Sequence, residues 1–283
     1  MDRTIPFTFG IALVPRANAR DWPLVEALLE LTLASVRAQT DPDFRVLLAC
    51  HDRPRLESGD PRIELVEADW QALPPGPHNE DSGRKKHALN DLVLARGGGL
   101  LMLLDADDWV DTRLVEAARA AVGPDVVGAV VETGLAADFR TLRAAALPDP
   151  HIFAHAFYRV CGSSTVAHLR PDAADPVRRD PFTALRSHHR WAEAADELGV
   201  RLARLPVQGA YLINTSENHS DLHGPHADWR RGFTAAVNRH GRPLDVALAV
   251  RFGLEMERIR SALDRFVPRS GAALQPRGRI AAR

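Results

Sequence analysis

Apolar positions in the first hundred residues fall into short unbroken runs, separated by stretches in which they recur at a spacing near 3.6. Residues 7–14 (FTFGIALV), 45–50 (RVLLAC) and 63–66 (IELV) read as strands, and 24–39 and 84–95 as helices. The first helix gathers Leu28, Leu31, Leu33 and Val36 on its buried face. Pro15 and Arg16 stand in the loop after the first strand, and the turn Asp41, Pro42, Asp43 follows the first helix. The Pro- and Gly-rich segment 69–82 is long enough for a functional loop, and Gly97, Gly98 and Gly99 lead into the most apolar strand of the chain. The order β, α, β, β, α, β predicts an α/β fold with a mainly parallel sheet flanked by helices, and ligands at the carboxyl ends of its strands.

Beyond residue 113 the pattern changes. A helix over 113–121 and a strand over 126–132 are followed by 151–168, where β-branched and aromatic residues surround the small-residue turn Cys161, Gly162, Ser163, Ser164. Shorter, mixed strands are expected there. A helix over 187–198 precedes strands at 202–205 and 210–214. From Asp228 onward the pattern is helical, with a break at 241–243, and the basic, Gly- and Pro-containing segment 268–283 reads as a disordered tail.

The strand over 100–110, LLMLLDADDWV, is apolar enough to be buried on both faces and stops at Asp105, Asp107 and Asp108. Carboxylates this close repel one another unless a cation or hydrogen-bond donors neutralise them, and a hard divalent ion with oxygen ligands is the usual solution. The alternative is that these residues merely end the strand. Asp111 is expected to cap the helix that begins near Arg113, so one acid has a structural role; one cap does not explain three more.

Composition narrows the rest. The formal net charge is -1, so no global field favours nucleic acid or an anionic membrane. Cys50 and Cys161 are the only cysteines, in apolar surroundings and without CxxC spacing, which fits reduced thiols in a cytoplasmic protein. No apolar run reaches the roughly 18 residues of a membrane span. The glycines at 97–99 precede a strand rather than follow one, so they are no dinucleotide fingerprint. There is no P-loop and no GxSxG elbow.

Several stretches occur in an order that resembles the nucleotide-binding half of the GT-A glycosyltransferases, particularly the large inverting family usually called family two. TLASVRAQT at 32–40 resembles that family's SV..QT stretch and leads through DPDFRVLLACHD to Asp52. Lys85, Lys86, Ala88, Leu89 and Asn90 resemble the basic helix ahead of the metal motif, and LLDADD matches the DxD motif itself. The likeness covers residues 7–110 well and the rest loosely. It implies a Rossmann-like GT-A sheet with a mixed acceptor-side half: 1–112 for the nucleotide sugar, 113–227 for the acceptor, 228–267 as C-terminal helices, and 268–283 as the tail.

The resemblance implies a metal-dependent glycosyltransferase using Mn2+ or Mg2+, with a UDP-sugar as the donor expected first and a glycan or lipid-linked acceptor. Peripheral membrane contact is compatible with the basic tail; a nucleic-acid partner is not expected. Asp105 and Ala106 would face the ribose, and Asp105 and Asp107 would hold the metal on the diphosphate. Asp108 would support them or touch the donor sugar. Asp52 would read the base, with Pro15, Arg16 and Lys86 contacting base or phosphate. His219, directly after a strand end in SENHSDLHGPH, is the expected third metal ligand, ahead of His223 and His226.

One departure matters. Where family two carries a carboxylate base, this chain reads Arg186, Ser187, His188, His189, Arg190, Trp191, with no acid before Glu193. A histidine at a helix N-terminus beside arginines is kept neutral, so His188 or His189 is expected to take the acceptor's proton. The departure leaves inverting against retaining transfer open. It also keeps two alternatives: a nucleotide- or glycan-binding module without turnover, and a nucleotidyltransferase, whose glycine-rich first loop is replaced here by PRANAR.

Overall fold

The computed structural model describes residues 5–223 and 226–266 of the 283-residue chain. The tail expected at 268–283 lies outside the described residues. Ten strands form one sheet: β1 (Phe7–Ala12), β2 (Arg45–Cys50), β3 (Ile63–Glu67), β4 (Gly99–Asp105), β5 (Trp109–Val110), β6 (Val126–Asp138), β7 (Arg143–Leu147), β8 (Thr165–Leu169), β9 (Arg201–Ile213) and β10 (Arg242–Pro243). The helices are α1 (Trp22–Arg37), α2 (Glu80–Ala95), α3 (Leu114–Ala121), α4 (Pro176–Arg179), α5 (Pro181–Leu185), α6 (Trp191–Glu197), α7 (His219–Leu222), α8 (Ala227–His240), α9 (Val246–Arg251) and α10 (Met256–Phe266).

The first half is parallel, in the order β3, β2, β1, β4, and the second half is mixed. The chain steps outward from β1 to β2 and β3, then returns to the other side of β1 with β4. That reversal makes a switch point between the carboxyl ends of β1 and β4, the crevice where open α/β sheets take ligands. The register sets Ala12 beside Asp105 there. Antiparallel β8 continues the sheet from β4, and β6 carries β7 on one side and the parallel β9 on the other.

Local chemistry explains the central elements. Leu100, Leu101, Met102 and Leu104 are buried on both faces of β4, and the strand yields to a turn as soon as carboxylates begin, with the Asp108 N–H donating to the Asp105 carbonyl. Asp21 caps α1 by accepting the Leu24 N–H at 3.1 Å, two residues ahead of the expected start, and a proline in the first turn suits that position.

Several expectations change in the second half. The two strands at 202–205 and 210–214 are one strand, β9, because the register against β6 shifts between Val131 and Thr133 and the resulting bulge accommodates Pro206. The strand from 126 runs on to Asp138, and β7 pairs with its far end. Neither stretch has a β-branched run, since GLAAD and RAAAL pack by smallness: a Cβ on Gly134 would stand 2.5 Å from the Phe157 ring. Within 151–168 only β8 is a strand, and Phe157–Arg159 is a 3-10 turn. The helix expected over 187–198 begins as a 3-10 turn at His188–Arg190 and becomes α-helical from Trp191.

Asp111 is not the cap of α3. Arg113 holds that position; the Asp111 carboxylate accepts the Arg113 N–H at 3.0 Å and the Gln208 N–H at 3.4 Å, tying the turn to β9.

Candidate active site

A cleft of about 420 Å³ opens at the switch point. One wall comes from the end of β1 and the loop before α2, the floor from the β4–β5 turn, and the other wall from the 160s loop, the 3-10 turn at His188, the stretch from Glu217 to His223, and His226 with Arg230. Pro15, Lys86, Asp105, Ala106, Asp107, His188 and His219, named from the sequence, all line it.

The floor is held from beneath by polar residues of α1 and of the turn that follows it; the helix stops at Arg37, two residues before its expected end. Thr32, Ser35 and Gln39 are buried on the face that meets the β4–β5 turn. The Thr32 hydroxyl donates to the Ala106 carbonyl at 3.0 Å, the Ser35 hydroxyl accepts the Val110 N–H at 3.2 Å, and the Gln39 amide bridges the Asp111 carbonyl at 2.8 Å and the Val115 N–H at 3.0 Å. These are three of the five polar letters of TLASVRAQT. Their role is to satisfy the backbone groups of a turn that leaves the sheet.

The acids have three different surroundings. Asp105 Oδ1 accepts from Lys86 Nζ at 2.7 Å; burial opposes its ionisation, but the neighbouring ammonium outweighs that and holds its carboxyl below the ordinary value. Asp107 accepts from the Asn218 amide at 2.9 Å, and burial together with the charges of Asp108 and Asp105 holds its carboxyl well above the ordinary value. Asp108 is fully buried. Its Oδ2 accepts the Ser163 hydroxyl at 2.6 Å and faces the Cys161 thiol at 3.4 Å, and its Oδ1 accepts the Leu212 N–H at 3.0 Å. Burial and the Asp105 charge push it up to about 7. Asp108 therefore braces the 160s loop and β9 against the floor and does not face the cleft.

Two acids facing the cleft against one lysine leave a deficit of positive charge at the floor, and both offer oxygen donors, as a hard divalent ion requires. Among the described residues no three His, Cys, Asp or Glu side chains converge as a complete metal cage. Mg2+ is commonly held by one or two carboxylates and completed by substrate phosphates, and Asp105 and Asp107 fit that pattern.

His219 lines the cleft, but its Nε2 is 2.8 Å from the Gly76 carbonyl, which joins the two walls. Asn218, one residue earlier and missed in the sequence, is the second-half side chain that meets the Asp107 carboxylate, while Ser163 meets the Asp105 N–H. Two left-handed residues, Asn214 (φ 59°) and Ser216 (φ 64°), turn the chain after β9 and decide which side chain points inward. Glu217 then accepts the N–H groups of Arg20 and Asp21, both at 3.0 Å, and ties this loop to the start of α1.

Of the adjacent histidines only His188 enters the cleft. Its Nδ1 bonds the Tyr158 carbonyl, so Nδ1 carries the proton and Nε2 is left as the acceptor; burial lowers its pKa below 6.5. Gly162 lies between it and the DxD: a Cβ there would stand 3.5 Å from Asp105 Oδ2 and 3.7 Å from the His188 ring. His189 is exposed, with Nδ1 on the Ser187 hydroxyl at 2.8 Å.

Arg16 and Asp52 stand outside the cleft lining, joined by the Arg16 N–H on Asp52 Oδ2 at 2.8 Å. The two lysines of α2 diverge as consecutive helical residues must. Lys86 enters the cleft, while Lys85 is completely buried and donates to the Leu13 carbonyl at 2.7 Å and to Asp81 at 2.6 Å. A buried lysine so paired anchors the end of β1. Nothing in the sequence distinguishes it from its neighbour except the helical period.

No family model matches the chain, and no curated protein matches it. Among solved structures it is similar to a 4-diphosphocytidyl-2C-methyl-D-erythritol synthase, at 12% identity over 80% of this chain and 97% of that one, with a TM-score of 0.40. It is also similar to the inositol-1-phosphate CTP transferase from T. maritima, at 9% identity over 85% and 99% with a TM-score of 0.39. The galactosyltransferase LgtC, in complex with donor and acceptor sugar analogs, overlaps at 9% identity over 87% and 100% with a TM-score of 0.35. Likenesses at 9–12% identity and TM-scores of 0.35–0.40 carry no reaction over to this chain. No helix among the described residues is long and apolar enough to cross a membrane.

Proposed function

We propose that this chain is a glycosyltransferase that moves a sugar from a nucleoside-diphosphate donor, a UDP-sugar first, to a hydroxyl of a glycan or lipid-linked acceptor. The observation that carries this reading is the meeting, in one cleft, of the Asp105–Asp107 floor with an imidazole whose free Nε2 lies just across Gly162. A divalent ion held by Asp105 and Asp107 would neutralise charge on the departing diphosphate. Lys86 adds a fixed positive charge beside Asp105. His188 is oriented by the Tyr158 carbonyl to accept the acceptor hydroxyl's proton at Nε2 as its oxygen attacks the anomeric carbon. Gly162 keeps the space between carboxylate and imidazole free of side chain. A base facing the donor floor, with no nucleophile between them, favours a single displacement with inversion.

The test is release of nucleoside diphosphate from a panel of nucleotide sugars, with Mn2+ and with a chelator, on the wild type and on Asp107→Asn and His188→Gln. Metal-dependent release that both variants lose supports the reading. Pyrophosphate release from a nucleoside triphosphate and a sugar 1-phosphate would assign nucleotidyl transfer instead, and nucleotide binding without any release would leave a binding module.

A further inference from the structure

Arg230 stands in the first turns of α8 and lines the cleft wall next to Tyr211. Its Nη1 donates to the Tyr211 hydroxyl, and its guanidinium carbon lies 5.3 Å from the Tyr211 ring centroid and 5.2 Å from that of Trp229. Two aromatic rings therefore fix the plane of the guanidinium. Its Nε is buried and has no hydrogen-bond partner. Among the described residues no carboxylate forms an ion pair with it; Asp221 feels its charge without pairing. Arg37 and Arg119, by contrast, have counter-charges, Glu30 for Arg37 and Asp41 with Asp43 for Arg119.

A guanidinium is permanently charged and carries five donors in a planar fork. Withdrawing it from water without a counter-charge costs free energy, and an incoming anion with two oxygens in one plane recovers it. We propose that Arg230 is a phosphate-binding residue of the cleft, separate from the Lys86–Asp105 pair and positioned by Tyr211 and Trp229. The sugar-transfer reading supplies the two sources of that phosphate, the donor's diphosphate or a phosphate carried by the acceptor.

Calorimetric titration of the full chain separates them. Pyrophosphate with Mg2+ is titrated first, and inorganic phosphate is then titrated into the pyrophosphate-saturated protein, for the wild type, Arg230→Gln and Arg230→Lys. Removing a charge-assisted contact is expected to weaken one of the two anions by about tenfold or more, with the lysine variant intermediate. Loss in the first titration identifies the donor's diphosphate; loss only in the second identifies an acceptor phosphate. Equal affinities of wild type and Arg230→Gln for both anions overturn the proposal, as does a wild type that binds neither. If Arg230→Gln does not fold, Tyr211→Phe removes only the hydroxyl that orients the guanidinium and is expected to weaken the same anion about threefold; unchanged affinity there overturns the proposal too. Nucleotide-sugar turnover by the same wild-type sample reports separately on the transfer reading. Arg230-dependent binding without turnover keeps the site and removes that reading.

Discussion

The side-chain amide of Asn218 donates to Asp107 Oδ2 at 2.9 Å, joining residues 111 positions apart. The same nitrogen donates to the Leu212 carbonyl at 3.0 Å, while Oδ1 accepts the Thr215 N–H at 2.9 Å and the Thr215 hydroxyl at 2.8 Å. All four bonds agree on one orientation, so the amide presents N–H and not oxygen to the carboxylate. Asn218 thus positions Asp107 and is not itself a ligand in this orientation.

Asn218→Asp replaces that donor with a carboxylate facing both Asp107 and the Leu212 carbonyl. The variant is expected to lose about 1–3 kcal/mol of unfolding free energy, read from urea denaturation, the range for leaving buried polar groups unsatisfied. An unchanged midpoint would show that the loop after β9 does not depend on this bond.

His188 and His189 separate the catalytic reading from a purely structural one. His188→Gln is expected to lower transfer by about 10²–10⁴-fold, the usual contribution of a general base, while donor binding is kept. His189→Gln, at an exposed position, is expected to leave the rate unchanged. Steady-state rates together with donor affinity check both, and equal rates in the two variants would remove the base from this turn.

Gln39, in the turn after α1, bridges the Asp111 carbonyl and the Val115 N–H. Gln39→Ala leaves both buried groups unpaired and is expected to cost about 2–4 kcal/mol, seen as a lower urea midpoint. Loss of donor affinity should accompany it if the floor shifts.

His168 is buried in β8, with Nδ1 3.1 Å from the Val126 carbonyl, and burial lowers its pKa below 6.5. The folded state therefore holds this ring neutral while the unfolded chain protonates near 6.5. Its contribution to stability is present above that pH and is lost as pH falls through the unfolded value toward the folded one. The difference in unfolding free energy between wild type and His168→Gln should shrink as the pH is lowered below about 6.5, measured by denaturation at a series of pH values. A difference that stays constant over that range would contradict a neutral buried ring.

Much of the first half is legible in the chain. An apolar run bounded by glycines and acids reads as a buried strand with a polar end, and the helical spacing of Leu28, Leu31 and Val36 calls for an apolar partner, which for Val36 is the sheet core and for Leu28 and Leu31 includes the C-terminal helices. A mainly parallel sheet with carboxylates at a strand end follows from the alternation of those elements. The second half is less legible, because β7 and the far part of β6 are built from alanine and glycine, and Pro206 interrupts β9 at a bulge.

By itself, then, the sequence determined which elements form and which end of the sheet carries charge, since burial periodicity and polar termination are local properties. Only the tertiary structure decided which of two neighbouring residues does the work: Asn218 and not His219 on Asp107, Lys86 in the cleft with Lys85 buried, His188 inward with His189 in solvent. The physical reason is the same in each pair. Adjacent residues share nearly the same local pattern, and the direction in which each points depends on a turn angle, a helical phase or a strand register fixed by partners far away in the chain.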